Sequence, residues 1–333
     1  MKTQSENSQP LALWRPNENQ LRFLINEMGI PTLRLALTKD CNADCSFCHN
    51  EGQRIGARGP TARPVSAQLR PQDYAYIAKF FRSHFSAVKL TGGEPTLVKP
   101  EDLAVITSIF AKTGYEVSMV TNGFGLTYEL QLRLRAAGMT RVNVSLHSLD
   151  PLEHAEAFGV SGQLPRVLEN LQSLNSVFPG NAKINFMALP GQNIPQRLIP
   201  ITELSATSGL QVSLLSPVAE RSFDHPLTTR IMDYLRTHIG IGETKIVVRA
   251  SRTRRIFKLH NGGVVEIDDF RCTDHRDTAF NNAICRNCPK RGNCVEGPYA
   301  ARILHDGTFR PCLIRGDNVA RFVSGSYDLE ARK

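Results

Sequence analysis

Leu33-Arg34-Leu35-Ala36-Leu37-Thr38-Lys39-Asp40-Cys41-Asn42-Ala43-Asp44-Cys45-Ser46-Phe47-Cys48 decides the reading of this chain. Its first five residues form a largely apolar run of strand length. The run opens into a loop that carries Cys41, Cys45 and Cys48 at Cys-x3-Cys-x2-Cys spacing, with His49-Asn50-Glu51-Gly52 beyond. Three thiolates so spaced suit three irons of a cubane iron–sulfur cluster, leaving the fourth iron open to a small molecule. Two alternatives are a zinc site and three unrelated buried thiols. A structural zinc wants four protein ligands, usually as two Cys/His pairs, and His49 is poorly placed to close the same tetrahedron as Cys48. Core thiols belong on a helix or strand face, not in a loop with Asn42, Asp44 and Ser46.

The chain has 333 residues, enough for one large α/β domain with an appendage or for two domains. Its hydrophobic content of 41% suits a sizeable core. No apolar run reaches the ~20 residues of a membrane span, and Met1–Pro10 lacks the apolar stretch of a secretory signal. Cytoplasmic residence is the expectation. The eight cysteines cluster as three plus five, which points to metal binding in a reducing compartment rather than to disulfides. A net charge of +9 fits an anionic substrate. The basic residues are too dispersed to argue for a nucleic-acid partner, the densest stretch being the short Arg249–Arg255.

Outward from the opening stretch, strand-like runs at Leu33–Thr38, Ala87–Thr91, Glu116–Thr121, Arg141–Leu146, Lys183–Leu189 and Gln211–Leu215 alternate with helical patterns. Those patterns include Pro71–Phe85, Glu101–Lys112 and Leu164–Phe178. Six alternations predict an α/β fold, a partial (β/α)6 TIM-like barrel with function at the C-terminal strand ends. Gly56–Gln68 reads as a long loop, either a lid or a plain solvent loop. Arg255–Ile267 reads as a hairpin turning at Asn261-Gly262-Gly263. The expected division is an N-terminal extension over 1–29, a barrel over 30–240 and a cysteine-dense C-terminal domain over 241–333.

After the second strand comes Thr91-Gly92-Gly93-Glu94-Pro95. Two glycines there allow close approach to the backbone, Glu94 offers an acceptor for an ammonium group, and Pro95 stiffens the turn. With the cysteine triplet after the preceding strand, this resembles the radical S-adenosylmethionine (radical SAM) superfamily. Leu33-Arg34-Leu35, Thr121-Asn122-Gly123, Asn143-Val144-Ser145-Leu146 and Asp306-Gly307-Thr308-Phe309-Arg310-Pro311-Cys312-Leu313 narrow it. In the same order along residues 30 to 315, they are similar to the GTP 3′,8-cyclases of molybdenum-cofactor synthesis.

The resemblance implies a catalytic 4Fe–4S cluster on Cys41, Cys45 and Cys48. Its open iron holds S-adenosylmethionine, which is reductively cleaved to a 5′-deoxyadenosyl radical that abstracts a substrate hydrogen. It further implies that Gly92, Gly93, Glu94 and Ser145 contact S-adenosylmethionine and that Phe47 stacks near its adenine. Arg34, Lys89, Thr121, Lys183 and Arg302 fall where that family contacts a nucleotide. For Arg34 and Lys183 a structural role is the plain alternative, as a partner of a carboxylate across the barrel and as a strand-start surface lysine. An electron donor such as flavodoxin or ferredoxin is the implied protein partner.

Cys285, Cys288 and Cys312 match the family's auxiliary 4Fe–4S cluster. Departures keep a second reading open: Lys89 stands for an arginine, Ala300 replaces a substrate arginine, the chain lacks a terminal Gly-Gly, and Pro289–Cys294 intervenes after Cys288. Cys285-x2-Cys288-x5-Cys294 also resembles the auxiliary-cluster domains of peptide-modifying radical enzymes of SPASM/twitch type. Cys272 is then a spare or a fourth ligand, and a structural zinc on four of these five cysteines is the alternative.

Overall fold

The structure is a computed structural model. It describes residues 32–53, 56, 58–60, 62–188, 193–215, 225–249, 252–269, 283–286, 288–289, 300–313 and 320–321. The chain begins as β1 (Thr32–Ala36), α1 (Pro71–Phe81), β2 (Ala87–Thr91), α2 (Pro100–Lys112), β3 (Glu116–Thr121) and α3 (Tyr128–Ala136). There follow β4 (Met139–Ser145), α4 (Pro151–Phe158), α5 (Leu164–Gln172), α6 (Leu174–Val177), β5 (Ala182–Met187), α7 (Ile194–Ser208), β6 (Gln211–Leu215) and α8 (His225–His238). The C-terminal part adds β7 (Ile241–Arg249), β8 (Arg252–Leu259), β9 (Val264–Asp269), α9 (Ala283–Arg286), β10 (Ala301–Ile303), β11 (Thr308–Arg310) and β12 (Ala320–Arg321).

Six β–α units lay down β1 to β6 side by side and parallel, the arrangement of a partial TIM-like barrel. The C-terminal part extends this same sheet at both ends. On one side β10 pairs parallel with β1, setting Arg302 beside Arg34; on the other, β9 pairs parallel with β6, setting Glu266 beside Ser213. Antiparallel hairpins flank these additions, β10 with β11 and β7–β8–β9 in series.

Alternation along the strands separates two faces. Leu33 and Leu35, Val88 and Leu90, Val117 and Met119, Val142 and Val144, and Ile184 and Phe186 are buried in the main core. So are Val212, Leu214, Val265, Ile267, Ala301 and Ile303. Each of these side chains except the small Ala301 contributes about 1.5–3 kcal/mol on burial. Phe81 of α1, fully buried, stacks on Phe309 of β11 with centroids 5.5 Å apart, tying the C-terminal hairpin to the first helix. The opposite face carries Arg34, Lys89, Ser118, Arg141, Asn143, Lys183, Asn185, Gln211, Ser213, Glu266 and Arg302. Parallel sheets are usually apolar on both faces. A polar inner face is the mark of a sheet curled around something other than its own core.

The predicted helix over Leu164–Phe178 is two helices, parted at Ser173, whose hydroxyl donates to Gln131 Oε1 at 3.0 Å. The predicted helix from Pro71 ends at Phe81, not Phe85. Within Gly56–Gln68, Val65 is pinned to the segment after the Gly-Gly-Glu-Pro turn: its N–H donates to Leu97 O at 2.8 Å, and its carbonyl accepts from Lys99 N at 3.1 Å. Ala57 and Thr61 of that loop lie outside the described residues, as do the N-terminal extension, Cys272 and Cys294.

Candidate cofactor and substrate site

The cysteine loop and the Gly-Gly-Glu-Pro turn leave the C-terminal ends of neighbouring strands and are bonded through their backbones. Gly93 N donates to Thr38 O at 2.7 Å and Glu94 N to Asp40 O at 2.8 Å. This contact gives the two glycines a requirement beyond ligand approach. A Cβ on Gly93 would lie 1.9 Å from the Asp40 carbonyl oxygen, and Gly92 has φ +129° with Thr38 O 2.5 Å from its would-be Cβ. Only glycines let the two loops lie so close.

Glu94 is 2% exposed and hydrogen-bonded through both carboxylate oxygens. Oε1 accepts from Thr96 N at 3.0 Å, Thr96 Oγ1 at 2.7 Å and Thr121 Oγ1 at 2.5 Å; Oε2 accepts from Asn122 N at 2.8 Å. Burial pushes its pKa up, against hydrogen bonds that favour the carboxylate. The residue thus joins the loops after β2 and β3. Thr121, expected at the substrate, spends its hydroxyl on this joint. Asn122 continues it, donating to Asn42 Oδ1 at 2.6 Å and lying 4.0 Å from Cys41 Sγ.

Cys41 and Cys45 are partly buried and Cys48 is exposed. Burial pushes the Cys41 thiol up to about 12, with Glu94 adding and Arg58 opposing. Burial likewise pushes Cys45 up to about 12, with Cys48 and Cys41 adding. The thiols therefore feel one another's charge, as soft donors sharing one loop should. No group of three or more His, Cys, Asp or Glu donors stands ready-made at metal-ligating range among the described residues. The fit to a cluster rests on the donor chemistry and on the loop that presents it.

Phe47 meets His147 edge-on, with ring centroids 5.4 Å apart, and His147 stacks on Phe158 at 5.0 Å. Burial holds His147 down to about 3, with His154 and Arg197 adding, so the ring is neutral; its Nδ1 accepts from Met187 N at 3.1 Å. Phe47, half-buried, is thereby braced by His147, which lies two residues beyond Ser145, the last residue of β4. An aromatic side chain held so suits stacking on a ring such as adenine.

The remaining sequence-predicted residues line the inner face. Arg34 and Arg302 both reach Glu51, which is 3% exposed. Arg34 gives Nε to Oε1 at 2.9 Å and Nη2 to the same oxygen, while Arg302 gives Nε to Oε2 at 2.9 Å. Burial works to raise the Glu51 pKa, but the two guanidiniums outweigh it and hold the carboxyl far below its usual range. Lys183 is no surface lysine: its Nζ donates to Glu266 Oε2 at 2.7 Å, an oxygen shared with Gln211 at 2.9 Å and Arg254 at 3.5 Å. Lys89 sits in register between Arg34 and Ser118. Arg141, unremarked in the sequence, belongs to this set; its Nε is buried with no hydrogen-bond partner among the described residues. Glu51 and Glu266 were also missed. For Glu266 a signal existed, a lone acid in the apolar run Val264-Val265-Glu266-Ile267; for Glu51 there was none.

Cys285 and Cys312 are buried and Cys288 is partly so, its N–H donating to Cys285 O at 3.1 Å. Cys312 follows closely on β11, the strand paired with the one that carries Arg302.

A family model described as the Radical SAM superfamily matches residues 35–198, from β1 into α7, and the chain belongs to that superfamily. Within it, sequence relatives of matching length include proteins described as "Probable GTP 3′,8-cyclase". That of Thermococcus kodakarensis is 30% identical over 91% of this chain and 91% of its own length. That of Saccharolobus solfataricus is 31% identical over 89% and 87%, and that of Pyrococcus abyssi 28% over 89% and 90%. Among solved structures, SuiB of Streptococcus suis bound to S-adenosylmethionine superposes with a TM-score of 0.58 at 14% identity. The match covers 88% of this chain and 63% of SuiB, under two thirds of its length. The anSMEcpe enzyme with bound AdoMet gives 0.56 at 13% identity, over 89% and 78%. These two likenesses show the fold. The protein is a radical SAM enzyme, and its cofactors are a 4Fe–4S cluster and S-adenosylmethionine.

Proposed function

We propose that this enzyme acts on a nucleoside triphosphate, cyclising or rearranging it as a GTP 3′,8-cyclase does. One observation carries the reading: Arg34, Lys89, Arg141, Lys183 and Arg302 occupy inner-face positions of the sheet. Glu51 pairs with Arg34 and Arg302, and Glu266 with Lys183. Cations held in a low-dielectric enclosure bind phosphate strongly, arginines in two-pronged fashion.

Under this reading Cys41, Cys45 and Cys48 hold the catalytic cluster, and Gly92, Gly93, Glu94 and Ser145 hold S-adenosylmethionine with Phe47 against its adenine. When bound, these groups supply the 5′-deoxyadenosyl radical that abstracts a substrate hydrogen. Lys89, Lys183, Arg34 and Arg302 anchor the substrate, joined by Arg141, whose Nε has a buried donor to offer. Thr121 acts through Glu94 rather than on the substrate. Residues 241–333 form the auxiliary domain, with Cys285, Cys288 and Cys312 carrying a second 4Fe–4S cluster that is either open at its fourth iron or closed by Cys294 or Cys272. The enzyme works in the cytoplasm with a flavodoxin- or ferredoxin-type donor, without membrane or nucleic acid. Among the described residues no helix is long and apolar enough to cross a membrane.

The Cys285-x2-Cys288-x5-Cys294 spacing favours a second reading, a peptide-modifying enzyme whose auxiliary cluster accepts an electron from a substrate radical. Anaerobic assays of 5′-deoxyadenosine release with GTP, other nucleoside triphosphates and cysteine-containing peptides separate the two. GTP-dependent release with consumption of GTP supports the first reading; stimulation by peptides alone contradicts it.

A further inference from the structure

Asp44 lies in the cysteine loop between Cys41 and Cys45, its backbone N–H donating to Phe158 O at 2.7 Å. Arg58 folds back over this loop from the segment beyond it. Gly56 N donates to Lys39 O at 3.3 Å, which brings the chain back against the loop. The guanidinium Nη1 then donates to Asp44 Oδ1 at 3.0 Å and to Cys45 O at 3.5 Å.

The two partners differ in exposure. Arg58 is 15% exposed and Asp44 60%. Water screens the carboxylate far more than the guanidinium, so the pair does not cancel towards the protein side. Arg58 therefore presents a positive charge to the cysteine loop, opposite in sign to the buried carboxylate of Glu94. Among the described residues, the other donors aimed at the triplet are neutral: Ala43 N lies 3.4 Å from Cys41 Sγ, and Asn122 Nδ2 4.0 Å.

We propose that Arg58 raises the reduction potential of the cluster held by Cys41, Cys45 and Cys48, and that Asp44 limits how much of that charge the cluster feels. The inference rests on the assignment of the cluster to this triplet. A cluster with three thiolate ligands gains one unit of negative charge when an external one-electron reductant reduces it; no bond in the protein forms or breaks. A cation at the loop stabilises the reduced form, and net charge and nearby hydrogen bonds are among the factors that set such potentials. The ion pair thereby eases the first electron into a site whose burial otherwise opposes added charge.

The test uses the reconstituted full-length chain and the variants R58Q, R58K and D44N. Each is titrated with dithionite under redox mediators and followed by paramagnetic resonance. The triplet cluster is recognised by the change S-adenosylmethionine causes in its signal, and iron per chain is measured alongside. At a fixed poised potential, R58Q should show a several-fold smaller ratio of reduced to oxidised cluster and D44N a larger one, with R58K close to wild type. An unchanged or larger ratio in R58Q at wild-type iron content overturns the proposal. Should R58Q fail to hold iron, D44N decides alone: a smaller or unchanged ratio there is equally fatal. Absence of any signal responsive to S-adenosylmethionine in wild type would instead defeat the cluster assignment.

Discussion

Glu51 holds φ at +52° directly after Asn50 at +43°, two consecutive non-glycine residues in the left-handed region. Each such residue costs on the order of 1–3 kcal/mol and persists only where its surroundings impose it. Here Glu51 N donates to His49 Nδ1 at 3.0 Å and Asn50 Nδ2 to Lys39 O at 3.2 Å; Gln53 Nε2 reaches Thr38 O at 3.1 Å. The result is one buried carboxylate between guanidiniums from β1 and β10. Its partners lie 17 and 251 residues away, so no local pattern could reveal it. Arg34 and Arg302 were legible through motif order; the acid that aims them was not. Glu51→Gln keeps the shape and removes the charge, and breaking a buried pair from one side costs about 3–5 kcal/mol. The sign of the pH effect follows from the depressed folded pKa. The Glu51 contribution is complete above its unfolded value of about 4.3 and is lost as pH falls towards the folded one. In urea melts, wild type should lose its advantage over E51Q as pH drops from about 5 to 3; a constant gap contradicts this account.

At the scale of elements, the six barrel strands were legible because each alternates and ends in a turn signal. Ala87–Thr91, Glu116–Thr121 and Gln211–Leu215 have the predicted bounds. The α3 helix was not legible. Its buried positions include Gln131, fully buried and donating to Leu126 O and Asn170 O, while Tyr128 and Leu132 face water. Polar-in and apolar-out placement erases the helical pattern, although Thr127 caps the start by accepting from Leu130 N. The β10 strand was hidden for a related reason: it is three residues long, with Arg302 at its centre and 1% exposed. Yet this strand covers the edge of β1 and brings Arg302 to Glu51. Truncation after Pro298 removes β10 to β12, leaving a bare parallel edge and a buried acid with one cation lost. The truncated chain should be recovered mainly as aggregate; a soluble, cooperatively melting product contradicts the role given to β10.

For the whole molecule, alternating inward polar and outward apolar residues give a sheet with a cation-rich interior. Above it stand two strand-end loops locked together by Gly92, Gly93 and Glu94. The class of chemistry was readable because both loops are short and contiguous in sequence. The substrate was less so, because the inner-face cations proposed to hold it come one at a time from β1, β2, β4, β5 and β10. The central claim is that Cys41, Cys45 and Cys48 carry the site where S-adenosylmethionine is cleaved, separate from whatever Cys285, Cys288 and Cys312 hold. The most direct measurement is 5′-deoxyadenosine formation by the dithionite-reduced chain, wild type against C41A/C45A/C48A, with iron counted in each. Wild type should form 5′-deoxyadenosine with about eight irons per chain, and the triple variant none while keeping about four. Product formation by the triple variant, or loss of all its iron, would contradict the account.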